Sequence, residues 1–409
     1  MNTLTKTNVR LFTSAKSWIE GEALRQLYAT SKLEGMLLAV GFPDLHPGKG
    51  SAVGAAFVTE GFIYPYLIGG DIGCGMALFK TDLVRRDVKL DRWAQVPFDL
   101  EHLWTDEITE VLAKEELEST DFDDSLGTLG GGNHFAELQA VEEVVNVQEF
   151  KKLGLGKQQL VVLVHSGSRG LGESALRDYV AEHQASGSDV HPPQYCIESG
   201  TSSGRVGAVL SGSTSRYCYG GRAESFAAAA YLQGHDLAVR WAKVNRKLLA
   251  ERFAQALGAE ADLLWDGCHH SITPRQLEGE TVWVHRKGAV VAEDEAVMIP
   301  GSRGSLSYLV KPLGDGESRA WSLAHGAGRK WARSEARLRM RARFGREQLV
   351  QTSLGSRVIC GERDLLYEEA PAAYKNIEAV IEDLVDARLV SVVATFRPLL
   401  TYKTRADQR

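Results

Sequence analysis

Leu37-Leu38-Ala39-Val40-Gly41-Phe42-Pro43-Asp44-Leu45-His46-Pro47-Gly48-Lys49-Gly50-Ser51-Ala52-Val53-Gly54-Ala55-Ala56-Phe57-Val58 opens a stretch, continuing to Lys80, in which short apolar runs alternate with glycine-rich connections. The runs Leu37–Val40, Val53–Val58, Ile63–Leu67 and Met76–Phe79 read as short strands meeting at tight turns, and the polar chemistry gathers in the turns.

Working outward, a polar, partly helical segment runs from Asp91 to Glu118, followed by Gly127-Thr128-Leu129-Gly130-Gly131-Gly132-Asn133-His134 and a buried strand, Leu160–Val164, ending at His165. Residues Ala185 to Gly221, rich in serine and glycine and containing Pro192-Pro193, predict a surface loop inserted before a long helix, Ala223 to Leu257. Strands return at Val282–His285, Ala289–Ala292 and Leu306–Val310, then a helix at Ile377–Asp386 and a strand at Val390–Phe396. There is no regular βαβ count and no repeat, so the expected fold is mixed α/β: antiparallel and mixed sheets flanked by helices, in one large domain over residues 1–409.

With 44% hydrophobic residues in 409, the chain has ample material for a core. Met1 to Arg10 lacks a signal-peptide pattern and no apolar run is long enough to span a bilayer, which predicts a cytoplasmic protein without membrane contact. Five scattered cysteines, Cys74, Cys196, Cys218, Cys268 and Cys360, argue against a disulfide framework, so a special cysteine would be a ligand or a nucleophile. A net charge of -6 excludes a generally basic nucleic-acid binder and leaves only local patches. One such patch, from Arg329 to Arg346, carries Lys330, Arg333, Arg337, Arg339, Arg341 and Arg343 in a helix-favouring composition; taken alone, it is the solvated face of a basic helix.

In Asp71-Ile72-Gly73-Cys74-Gly75, glycines on either side of Cys74 let carboxylate and thiolate converge, and a thiolate can bridge two cations that clamp a phosphoryl group. His134 and His165 stand at strand ends, where imidazoles project into clefts. His269-His270 follows Cys268; neighbours on a strand point to opposite faces, so one of the two is expected as a ligand. One Asp, one Cys and three His suit zinc by affinity and manganese if water and phosphate complete the shell. Composition and spacing thus support a metal-assisted reaction on a phosphate, with substrate and direction open.

Five segments taken together, Phe42–Gly50, Asp71–Met76, Gly130–Phe135, His165-Ser166-Gly167-Ser168-Arg169-Gly170 and Ala324-His325-Gly326-Ala327-Gly328-Arg329, resemble the RtcB family of RNA-splicing ligases, and the resemblance runs from about Leu37 to Lys403. It implies a ligase that joins an RNA 3′-phosphate or 2′,3′-cyclic phosphate to a 5′-hydroxyl, using GTP and two manganese ions. By matching positions, Cys74 would bridge the ions, His134 and His165 would complete one and Asp71 with His270 the other. The nucleotide contacts implied are Asn133, Glu137, Ser271, the turn Pro300-Gly301-Ser302-Arg303, Ser307, Gly326-Ala327-Gly328, Tyr374 and Lys403, with Glu137 and Lys403 reading guanine. Asn133 and Arg169 would hold the RNA terminal phosphate.

The resemblance makes His325 a nucleophile that takes up guanylate as a phosphoramidate, with the N-terminus of the basic helix just beyond adding N–H groups. Ser271 stands where the family usually has Asn, and Arg303 where Met is common. With the long 185–221 loop, these departures resemble the branch associated with a release-factor-like protein, whose implied task is RNA repair. A metal-dependent phosphoesterase and a non-catalytic RNA-binding factor are the competing readings.

Overall fold

The computed structural model describes residues 8–103, 108–185, 220–293 and 296–405, and its elements follow the hydrophobic pattern closely. A five-stranded sheet has the order Asn8–Leu11, Met36–His46, Val53–Glu60, Glu280–Lys287, His270–Leu277. The larger sheet runs Val297–Ile299, Ser307–Pro312, Val390–Thr404, Phe135–Val144, Gln159–Ser166, Gly75–Val84, Ala261–Cys268, and Arg357–Cys360 adds to it in parallel alongside Val390–Thr404. The other pairs in the larger sheet are antiparallel, while Asn8–Leu11 joins the smaller one in parallel. The fold is therefore mixed α/β with antiparallel and mixed sheets.

One apolar cluster joins the two sheets: Val40, Phe42, Ala56 and Val284 from the smaller meet Met76, Leu78, Val161, Leu163 and Phe396 from the larger, with Ile377, Val380, Ile381 and Leu384 of the helix Ile377–Asp386 beside them. Burying each of these large side chains contributes about 1.5–3 kcal/mol. On the other face of the larger sheet lies the helix Phe226–Ala256. Its Ser225 cap accepts the Ala228 N–H at 3.1 Å, and Ala238, Trp241, Ala242, Asn245, Leu249 and Phe253 recur every three or four residues on the buried side.

Two expectations change and a third lies outside the described residues. Pro65 ends the strand anticipated at Ile63–Leu67: only Phe62–Ile63 is extended, and Pro65–Leu67 is a 3-10 turn, because proline fixes φ and supplies no ladder donor. The basic helix spans Arg333–Arg343, and Arg329 instead forms a β-bridge with Tyr374. The expected surface loop Ala185–Gly221 falls outside the described residues over 186–219. No helix among the described residues is long and apolar enough to cross a membrane.

Two buried polar residues of the long helix tie the sheet ends together. Arg246, fully buried, grips Asp266 through two 2.7 Å bonds and donates from Nη1 to the carbonyls of Gly73 (2.8 Å) and Ser166 (2.9 Å). Asn245 Nδ2 reaches the Thr128 and Gly167 carbonyls, each at 3.2 Å. Replacing Arg246 by Met strands the Asp266 carboxylate and two carbonyls, so the Arg246→Met variant is expected to lose about 3–5 kcal/mol in denaturant unfolding. A loss below about 1 kcal/mol, the range of an exposed pair, would show that the clamp is unimportant.

Candidate metal and nucleotide site

The site starts at a β-turn. Cys74 N–H donates to the Asp71 carbonyl at 3.1 Å, and Gly73 takes φ +77°, which favours glycine. A β-carbon on Gly167 would run into the Asp71 carboxylate, so that glycine is what lets Asp71 face the cluster.

Cys74, His134 and His165 converge, all buried, with ligand atoms within 4.8 Å of one another. His134 Nε2 lies 3.5 Å and His165 Nε2 3.2 Å from Cys74 Sγ, and His134 Nε2 is 3.2 Å from Asp71 Oδ2. Each histidine commits its other nitrogen to a backbone carbonyl: His134 Nδ1 to Leu129 at 3.0 Å, His165 Nδ1 to Asn133 at 3.2 Å, and His270 Nδ1 to Ile68 at 2.7 Å. A neutral imidazole that donates from Nδ1 carries a lone pair on Nε2. His165 Nε2 thus faces the Cys74 thiol, and His134 Nε2 meets both that thiol and the Asp71 carboxylate at contact distance, a convergence of ligand atoms suited to a cation. The donor set fits a cation.

The ionisation behaviour agrees. Burial lowers His165 well below the ordinary range and His270 to about 4, so both are neutral at pH 7 with lone pairs available. Burial pushes Asp71 up, but the His134 hydrogen bond and the charges of His134 and His270 outweigh it and hold the carboxyl well below its usual range. Burial, with Asp71 adding to it, raises the Cys74 thiol well above its usual range.

His269 departs from expectation. It is a bend between two strands, not a strand residue, so the alternation that would send its ring to the opposite face does not apply. Its Nε2 lies 3.3 Å from His165 Nε2, and its ring stacks obliquely 4.8 Å from that of His325. Arg169, at φ +57°, fills the space a β-carbon on Gly130 would need, and the charge of Asp71 acts on it.

Beyond His165 opens a cavity whose wall includes His270, His325 and most of the expected nucleotide contacts: Asn133, Glu137, Pro300–Arg303, Gly326–Gly328, Tyr374 and Lys403. Ser307 and Ser271 are not on that wall; both are buried, and Ser307 Oγ accepts from Gln139 Nε2 at 2.9 Å, while the same amide donates to Glu137 at 2.7 Å. Thr401 donates to the other Glu137 oxygen. Burial raises Glu137 despite these bonds.

Asp44 carries no expected role, yet it is the partner of His325. Fully buried, its Oδ2 accepts from His325 Nδ1 at 2.7 Å and from the His325 N–H at 3.2 Å. Lys375 holds the flanking carbonyls of Pro43 (3.0 Å) and Leu45 (2.6 Å). Gly328, at φ +72°, packs against the Asp44 carbonyl where no β-carbon fits. Glu369 was also missed: it accepts from Arg329 at 2.9 Å and from the Tyr374 hydroxyl, with Lys403 at 3.7 Å. Burial pushes Glu369 up, but Lys403 and Arg329 prevail and hold it at about 2. Of the basic run, Arg337 and Arg341 pair with Asp364 and Arg339 with Glu335; Arg333 reaches Asn133 Oδ1 at 3.4 Å on the cavity wall. That helix begins at Arg333, which lines the same cavity as His325.

Because the Cys74 thiol is protonated at neutral pH and a metal binds the thiolate, metal uptake should release a proton. Titration calorimetry in buffers of different ionisation enthalpy is expected to detect that proton with the unaltered chain and not with Cys74→Ala, and affinity should climb with pH. Equal proton release by both proteins would remove Cys74 from the ligand set.

The family profile described as "tRNA-splicing ligase RtcB" matches residues 26–121 and 98–404. The chain is 40% identical over 392 residues to RNA-splicing ligase RtcB2 of Escherichia coli, covering 96% of this chain and 94% of that protein. It is 28% identical over 434 residues to RNA-splicing ligase RtcB of E. coli K12 (94% and 95% covered) and 25% identical over 461 residues to RNA-splicing ligase RtcB homolog 1 of Entamoeba dispar (93% and 81%). With a profile match and a relative of this identity along nearly its whole length, the chain belongs to the RtcB family of RNA ligases.

Proposed function

We propose that the chain seals RNA, joining a 3′-phosphate or 2′,3′-cyclic phosphate end to a 5′-hydroxyl with GTP and manganese, through guanylylated His325. The observation that carries this reading is the buried Asp44–His325 pair on the wall of the cavity that also holds Glu137 and Lys403. With Nδ1–H bound to Asp44, His325 has its Nε2 lone pair free to attack.

In the first step Nε2 forms a bond to the α-phosphorus of GTP, the bridging P–O bond breaks, and pyrophosphate leaves. Asp44 stabilises the positive charge that develops on the ring, as the carboxylate does in a serine-protease triad. Where the end is cyclic, water first breaks the bond from phosphorus to the 2′-oxygen to leave the 3′-phosphate; an oxygen of that phosphate then attacks the same phosphorus of the adduct, the N–P bond breaks and His325 returns to neutral. The 5′-hydroxyl finally displaces GMP from the activated end, losing its proton as the new phosphodiester forms. Arg169, Asn133 and Arg333 are the donors available to the RNA phosphate, and Glu137 and Lys403 present an acceptor and a donor to the guanine.

Cys74, His134 and His165 would hold one manganese ion, and Cys74, Asp71 and His270 a second. When bound, these ions supply charge neutralisation at the transferring phosphate. RNA repair, in company with a release-factor-like protein, is the task this reading assigns; the Ser271 and Arg303 departures support it.

Incubation with GTP labelled at the α-phosphate and manganese should give an acid-labile, alkali-stable adduct, absent in His325→Ala. Asp44→Asn, which offers the ring an amide in place of a carboxylate, should slow adduct formation by about two to four orders of magnitude. Release of inorganic phosphate from an RNA 3′-end with no adduct would replace ligation by a phosphoesterase reaction, and a biological effect that survives both His325→Ala and Cys74→Ala would leave only RNA binding.

A further inference from the structure

His46 ends the strand Met36–His46, two residues beyond Asp44 and opposite Val53 on the neighbouring strand, and it lines the cavity that holds His325. Its Nδ1 lies 2.8 Å from the Asp44 carbonyl and donates to it, which leaves the ring's lone pair on Nε2. That Nε2 has no hydrogen-bond partner among the described residues and is not one of their enclosed unpaired atoms, so it opens onto the cavity. One strand end therefore supplies a carboxylate to the nucleophile and a free imidazole nitrogen to the cavity.

The sealing sequence leaves one proton without a receiver. His325 attacks GTP through a lone pair and the RNA 3′-phosphate attacks as an anion, so for an end that arrives with an open 3′-phosphate the 5′-hydroxyl is the only nucleophile that carries a proton. A hydroxyl is a poor nucleophile unless a base removes that proton as the new bond forms. The other bases on the wall are committed. His165 and His270 belong to the metal ligands. Glu137 accepts from Thr401 and Gln139, and Glu369 accepts from Arg329 and Tyr374 and is held at about 2. His269 is 2% exposed and its Nε2 meets His165 Nε2 at 3.3 Å. His325 serves the guanylate, which is the leaving group of the last step, and in-line displacement brings the entering oxygen from the opposite side of the phosphorus.

His46 remains. Burial lowers it to about 4; the Asp44 carbonyl bond and the Asp44 charge oppose that, and the charges of His325 and Lys375 add to it. The ring is thus neutral and able to accept at pH 7, and the phosphates that RNA and guanylate bring into the cavity would raise its proton affinity toward the useful range. We infer that His46 is the general base of the sealing step: Nε2 takes the 5′-hydroxyl proton as the 5′-oxygen bonds to the phosphorus of the activated end, the P–O bond to guanylate breaks, GMP leaves, and the imidazolium returns the proton to water. The inference rests on the reading of the chain as an RNA ligase and adds the group that activates the acceptor strand.

The test starts from RNA whose 3′-phosphate already carries guanylate, mixed with a 5′-hydroxyl acceptor, the full chain and manganese in a single turnover. His46→Gln keeps a polar group at the position but cannot take up a proton. It should seal about two to four orders of magnitude more slowly than the unaltered chain, while still forming the His325 adduct and passing guanylate to a 3′-phosphate, so that activated RNA accumulates. An acceptor ending in a 5′-thiol, which ionises near neutral pH unaided, should lose far less. In the unaltered chain, sealing of the hydroxyl acceptor should be slower in deuterium oxide, a measurement that needs no substitution and stands even if the variant folds poorly. Equal slowing of adduct formation and sealing would overturn the inference and make His46 a support for Asp44. Undiminished sealing by the variant, an equal loss with both acceptors, or the absence of a deuterium effect would overturn it as well. In each of these cases an intact His325 adduct in the unaltered chain leaves the ligase reading standing, whereas an unaltered chain that forms no adduct and seals nothing removes both.

Discussion

The buried Arg246–Asp266 pair is the interaction on which the site depends, because the guanidinium has more donors than the carboxylate uses. The surplus N–H groups are spent on the carbonyls of Gly73 and Ser166, which immediately flank Cys74 and His165. A helix on one face of the larger sheet thereby fixes the thiol and an imidazole that emerge at its edge. Lysine, a single point donor, could not meet two carbonyls and a bidentate carboxylate at once.

The same economy of backbone carbonyls recurs one layer further in. Leu129, Asn133 and Ile68 each take an Nδ1–H, so His134, His165 and His270 share a single tautomer. His325 is treated differently: its Nδ1 partner is the carboxylate of Asp44. A carbonyl fixes orientation for a ligand that stays neutral, whereas a carboxylate also stabilises the cation formed when the ring acts as a nucleophile. The four histidines are thus sorted into two roles by what accepts their second nitrogen, within one continuous cluster of rings linked by His269.

Much of this was legible in the chain. Runs such as Leu160–Val164 and the helix Ile377–Asp386 announce themselves because burial periodicity is a local property. Asp71, Cys74, His134 and His165 were legible as reactive types at element ends. Asp44 and Glu369 were not, since a buried carboxylate is recognisable only by its partner, and His325 lies 281 residues from Asp44. The alternation rule presumes an unbroken strand and does not reach His269, a bend whose N–H bonds to the Cys74 carbonyl, a long-range contact. Pro65 was a local signal and should have ended its strand on sequence grounds alone.

Several buried polar groups of the fold are incompletely satisfied, some of them beside the site. Asp44 Oδ1, Arg169 Nε and two nitrogens of Arg303 are buried without hydrogen-bond partners among the described residues, as are groups elsewhere in the fold such as the Tyr231 hydroxyl and Thr395 Oγ1, and His134 Nε2 meets the Asp71 carboxylate at 3.2 Å. Ala320 and Trp321 add non-glycine residues at φ +52° and +47° just before the strand that delivers His325. Each such feature costs free energy in the protein alone, of order 1–3 kcal/mol for a lost bond or a strained residue. A fold can carry several only because its core and the Arg246 clamp supply stability elsewhere. A cation at the cluster would be met by Cys74, His134 and His165, so its binding would add to stability through the same atoms. The converging donors of the cluster are therefore as much a product of the fold as its hydrophobic core, because the same turn, strands and helix that bury the apolar residues bring them together.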